Sequence, residues 1–193
     1  MRGWRRGGGG VTARFGAPEA ALLRVLVADV LALLEAGAPP PPAADEDPLV
    51  ALTGIRPDAA GTGGDPRPPA DPALARLLPD AYRLDDDPEQ AGAAADYRRF
   101  TEPELRAGKA AGLRTVLATL PEGGGAVVLD DAAAQAWLTA LTDVRLVLGS
   151  RLGVTAELAE GRLDPDDPRA PGLEVFDFVG WLQESLVHAV AGW

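Results

Sequence analysis

Residues 131–152, DAAAQAWLTALTDVRLVLGSRL, constrain the fold more than any other stretch. Wound as a helix, they gather Ala134, Leu138, Leu141, Leu148 and Leu152 on one side, with Trp137 and Val144 flanking. Leu146 and Val147 fall on the other side, so the second half is apolar nearly all round. A helix of that kind belongs at the centre of a helical domain. Its two inner charges sharpen the expectation. Arg145 falls inside the main apolar cluster, and Asp143 falls on the far side between Leu146 and Val147. The two side chains point about 200° apart, so they cannot pair with each other. Each needs a partner on a different neighbouring element, because a buried unpaired charge is costly. Asp96, Glu104, Asp177 and Glu184 are the candidates for Arg145. The expected role of these charges is to specify the fold, with a ligand or partner site as the alternative.

The remaining elements are read from periodicity and punctuation. Residues 3–7 and 11–15 read as a hairpin around a glycine turn, and GAVVLD at 125–130 reads as a third short strand. Helices are expected at about 18–36, 72–78, 88–100, 102–119, 131–152 and 173–190. The break near residue 100 rests on TEPE, 101–104, which matches a capping box. The fold class that follows is mainly α: a bundle of five or six helices with a small edge β-sheet made of the N-terminal hairpin and strand 125–130.

One domain is expected over residues 1–193, with a flexible Pro/Gly-rich insertion at about 38–72. Of the 18 Pro, 10 fall in 39–72. Such sequence cannot bury enough apolar area to offset chain entropy. DPLVALTGI, 47–55, interrupts it and is expected to dock as a short helix.

Composition removes several chemistries. There is no Cys, which excludes disulfides, thiolate metal sites and thiol-based sensing by this chain. The single His188 excludes a multi-histidine metal site and sits where a helix C-terminus favours it. Ser150 and Ser185 are the only serines, and neither a nucleophile elbow nor a phosphate loop is present. No catalytic residue, cofactor or metal is therefore expected. The most apolar segment, 20–34, is cut by Arg24 and Asp29, which argues against a membrane span and for a cytoplasmic protein.

Net charge is −11, yet two basic islands stand out. Residues 1–16 carry Arg2, Arg5, Arg6 and Arg14 with no acid. Residues 97–115 carry Arg98, Arg99, Arg106, Lys109 and Arg114 against Glu102 and Glu104. Arg5, Arg6, Arg98 and Arg99 are the candidate contacts to nucleic acid or a partner; internal pairing with the surplus acids is the other reading. Lys109, the one Lys beside 17 Arg, falls on the apolar face of its helix. Either a compact ammonium is required there or the side chain snorkels at the edge. Lys109, Asp143 and Arg145 form the candidate buried charge network. Phe176 and Val187 make a second stripe on the last helix, either a partner or homodimer surface or packing under the hairpin.

LLPDAYRLDD, YRRFTEPELRAGK, WLTALTDVRLVLGSRLGV and VFDFVGWLQESL together resemble an actinobacterial family, domain of unknown function 2017. WRRGGGGVTARF and DPLVALTGI fit it as well. The resemblance implies a short cytosolic protein, encoded near the ClpS protease adaptor, that regulates transcription in the oxidative-stress response. It implies action through DNA or a transcription-factor partner and no enzymatic activity. The alternative is a protein–protein adaptor linked to regulated proteolysis.

Overall fold

The computed structural model describes residues 2–36, 68–80, 88–155 and 167–192. The expected helix at 47–55 and most of the Pro/Gly-rich stretch lie outside them. Two strands, β1 (Arg2–Gly7) and β2 (Gly10–Phe15), lead into α1 (Ala17–Ala36). Then come α2 (Pro72–Leu77), α3 (Pro88–Thr119), β3 (Gly125–Leu129), α4 (Asp131–Leu152) and α5 (Ala170–Ala191). The described chain is mainly α, with five helices and one small antiparallel sheet in the order β1–β2–β3.

The sheet follows from strict alternation. Val11, Ala13 and Phe15 of β2 and Val127 and Leu129 of β3 face the helices. Arg14 and Val128 face outward. Val11 pairs with Leu129 and Ala13 with Val127, so both strands turn their apolar residues to the same side. Gly10 is required where the hairpin re-enters the sheet. Its φ is +131°, and a Cβ there would sit 2.0 Å from the Leu129 carbonyl oxygen. Trp4 packs edge-on against Phe15 (5.9 Å) and Trp137 (5.1 Å), which welds the sheet to α4. The Trp137 indole N–H donates to Thr119 Oγ1 at 2.8 Å, so the ring is buried without stranding its donor.

Helix α4 is central, as its apolar pattern demands: it meets each of the other four helices and all three strands. Asp130 caps its start by accepting from Ala133 N (2.7 Å), and Gly153 ends it in the left-handed region at φ +64°. Asp71 caps α2 and also accepts from Arg151 at 2.8 Å, tying the short helix to the last turn of α4. Arg24 interrupts the apolar run of α1 for a reason: it donates to the Leu117 and Leu120 carbonyls (2.8 Å each) at the end of α3.

The expected helix break near residue 100 is absent. A single helix runs from Pro88 to Thr119 with Pro103 inside it. Thr101 does not cap; its hydroxyl donates back to the Tyr97 carbonyl at 2.8 Å. Glu102 bonds Arg98 and Arg106, one turn away on either side, and this ladder carries the helix past the missing proline N–H.

Candidate functional site

Three cations of 97–115, Arg98, Arg106 and Lys109, turn inward. Spacing of four places Arg98, Glu102 and Arg106 in one row along α3. Glu102 accepts from Arg98 (2.8 Å) and from Arg106 (2.6 Å). Arg98 also pairs with Asp80 and donates to the Leu78 carbonyl, which fastens the segment after α2. Arg106 donates to the Leu34 carbonyl at 2.5 Å, which fastens the end of α1. Both arginines are buried. Burial by itself would raise the Glu102 carboxyl, but the hydrogen bonds and charges of Arg106 and Arg98 hold it below the usual glutamate range. Arg98 therefore works inside the fold and presents no free fork to a phosphate. The Arg99 side chain lies outside the described residues.

Asp143 and Lys109 make the link between α3 and α4. Asp143 is 1% exposed and accepts from Lys109 Nζ at 2.6 Å; its other carboxylate oxygen has no partner among the described residues. Burial raises its carboxyl above the usual aspartate range, and the Lys109 hydrogen bond and charge offset only part of that. The lone Lys is thus explained by a compact ammonium that meets a buried acid from the edge of the core.

Arg145 points to a different neighbour, α5. Its guanidinium carbon lies 5.1 Å from the centroid of the Phe176 ring. Gly180 leaves room for it: a Cβ at that position would stand 3.5 Å from Arg145 Nε. Arg145 Nη1 donates to Gln183 Oε1 at 3.1 Å, and Gln183 Nε2 donates to Thr142 Oγ1 at 2.7 Å. Of the four acids expected from sequence, Glu104, Asp177 and Glu184 are exposed and do not pair with it, and the Asp96 side chain lies outside the described residues. So Lys109 and Asp143 come together, and Arg145 stands apart. A cavity of 310 Å³ opens at Arg145, between α2, α4 and α5, with Arg76, Thr142, Leu146, Phe176 and Gln183 in its wall.

Two of the surface candidates stay at the surface. Arg5 is exposed and lines a shallow groove on the outer face of the sheet with Thr12 and Arg14. Arg6 is exposed too, but it donates to the Val190 carbonyl at 3.0 Å and lies 3.7 Å from Asp131. His188 is exposed in the last turn of α5. Sequence reasoning missed Gln183 and Arg76, which carry no motif. It also read Phe176 as a stripe without seeing the cation it would face. Glycine at 180 is the one trace of that contact in the chain itself.

A domain of unknown function (DUF2017) matches residues 1–190. The chain is similar to proteins named oxidative stress regulator AosR in Mycobacterium bovis and in Mycobacterium tuberculosis. Identity is 36% over 182 residues, covering 90% of this chain and 79% of each relative. No solved structure matches. No described helix is long and apolar enough to cross a membrane. Over nearly its whole length, this chain belongs to the DUF2017 family.

Proposed function

We propose that this protein is a non-enzymatic, cytosolic regulator of the oxidative-stress response that acts through a protein partner. The observation that carries the reading is the 36% identity, over 182 residues, to proteins named oxidative stress regulator. The charge layout favours a protein partner over DNA. Of the five cations in 97–115, Arg98, Arg106 and Lys109 are spent on carboxylates inside the fold, and Arg114 pairs with Glu35 at the surface. Among the described residues, Arg5 and Arg14 lie exposed together on the outer sheet face, a small basic patch on a chain of net charge −11. Such a patch suits an acidic protein surface better than a long polyanion, which would meet repulsion from the rest of the molecule. With no Cys, the oxidative signal would have to reach this chain through a partner or a small molecule.

Deleting the gene in its host and profiling transcripts before and after peroxide tests the regulator. A changed response, restored by the intact gene, is expected; an unaltered profile overturns the reading. The route of action is tested on purified protein. Affinity capture is expected to recover a partner that the Arg5→Ala, Arg14→Ala pair loses. Salt-dependent binding to duplex DNA that the same pair abolishes would shift the reading to direct DNA contact.

A further inference from the structure

Arg145 differs from every other cation of its kind. Among the described residues, Arg24, Arg98, Arg106, Lys109 and Arg169 are also wholly or partly buried, and each has a carboxylate within ion-pairing distance. Arg145 has none. Its guanidinium offers five N–H donors, and the described protein supplies one acceptor, Gln183. Its Nε is buried and has no hydrogen-bond partner among the described residues. A partly buried guanidinium with no counter-charge beside it needs its neighbours to hold it in place.

The support is visible. The Phe176 ring, the bare backbone at Gly180 and the Gln183–Thr142 hydrogen bond hold the guanidinium in one orientation. It borders a 310 Å³ cavity, a volume suited to a small molecule. A second cation, Arg76, comes from α2, whose position Asp71 and Arg151 secure. Ser150 adds a hydroxyl, and Leu146, Val154 and Phe176 add an apolar wall. Two arginines, a hydroxyl and an apolar wall in one cavity describe a site for an amphiphilic anion.

We propose that the cavity between α2, α4 and α5 binds a small organic anion, whose carboxylate or phosphate head meets the Arg145 guanidinium and whose apolar body lies against Leu146, Val154 and Phe176. The site stands on its own geometry and does not rest on the regulator reading.

The test uses the full chain and two probes, phenylacetate and phenyl phosphate, with inorganic phosphate and chloride as headgroup controls. Calorimetry is read beside the Nε–Hε signal of Arg145 in a nitrogen-15 spectrum. Saturable binding with a Kd of about 1 mM or tighter, and a moving Arg145 signal, are expected. Phenylacetate ahead of phenyl phosphate assigns a carboxylate head, and the reverse order a phosphate head. Arg145→Gln should weaken binding at least about ten-fold, one charged contact's worth, and Arg145→Lys by less, since it keeps charge but not the fork. Leu146→Trp fills the cavity wall and leaves Arg145 in place, so its loss of binding decides the matter if the Arg145 variants do not fold. The proposal is overturned if no probe moves the Arg145 signal, or if affinity is unchanged in both Arg145→Gln and Leu146→Trp.

Discussion

Lys109, which α3 brings to the central helix, and Arg145, which the central helix itself carries, are two cations with different surroundings. Lys109 meets Asp143 at 2.6 Å, and the pair closes the α3–α4 seam. Arg145, on the α5 side, has a ring, a glycine and an amide for neighbours but no acid among the described residues. A carboxylate on one side locks two helices. Its absence on the other leaves a positive charge facing a cavity. Two members of the candidate buried charge network are thus a closed element and an open one.

The comparison breaks first at the closed side. Lys109→Ala strands a carboxylate that cannot reach water and should cost about 3–5 kcal/mol in urea unfolding. Asp143→Ala should cost less, since Lys109 keeps 15% of its side chain exposed and can turn outward. If both substitutions are equally mild, the pair is not a lock. Glu102→Gln comes next, at about 2–3 kcal/mol, because two buried guanidinium groups share that carboxylate. Arg145→Ala is smaller, at about 1–2 kcal/mol, since it removes one hydrogen bond and a ring contact and strands no charge. A loss as large as that of Lys109→Ala would mean that Arg145 is a lock as well. Arg5→Ala and Arg14→Ala, on the outer sheet face, should change stability by no more than about 0.5 kcal/mol.

Acid titration sharpens the contrast. Glu102 has its carboxyl lowered in the folded state, so its contribution is present above the ordinary glutamate range and is lost as pH falls through the folded value. Asp143 has its carboxyl raised, so the folded state binds that proton more tightly than the unfolded chain does. Its contribution is full below the ordinary aspartate range and declines as pH rises through the raised folded value. Glu102→Gln should flatten the acid limb of a stability–pH curve. Asp143→Asn should remove the opposing decline. Unfolding midpoints measured from pH 3 to 7 separate the two, and parallel curves would refute the assignment.

Much of the fold is legible in the chain. Alternation around the glycine turn yields the hairpin, and the nearly all-round apolar pattern of 131–152 puts α4 at the centre. The angle between Asp143 and Arg145 already requires different neighbours for them. The capping signature at Thr101 misleads for a physical reason. TEPE scores a local hydrogen-bond option, whereas Glu102 gains two charged bonds along a continuous helix. Local chemistry lost to a ladder that only a longer helix can supply.

What the sequence by itself determined is the inventory: which faces are apolar, where chains turn, that no thiol is present, and that two charges must be housed inside. Only the tertiary structure decided who houses them. Partners such as Lys109 with Asp143 or Gln183 with Arg145 lie 34 and 38 residues apart, and no periodicity reaches that far. The packing of α3 and α5 on opposite sides of α4 gave one charge a counter-ion and the other a cavity. The sequence left two readings for the basic islands, and Arg98 and Arg106 follow the internal one, because buried guanidinium groups are stable where carboxylates and carbonyl ends surround them.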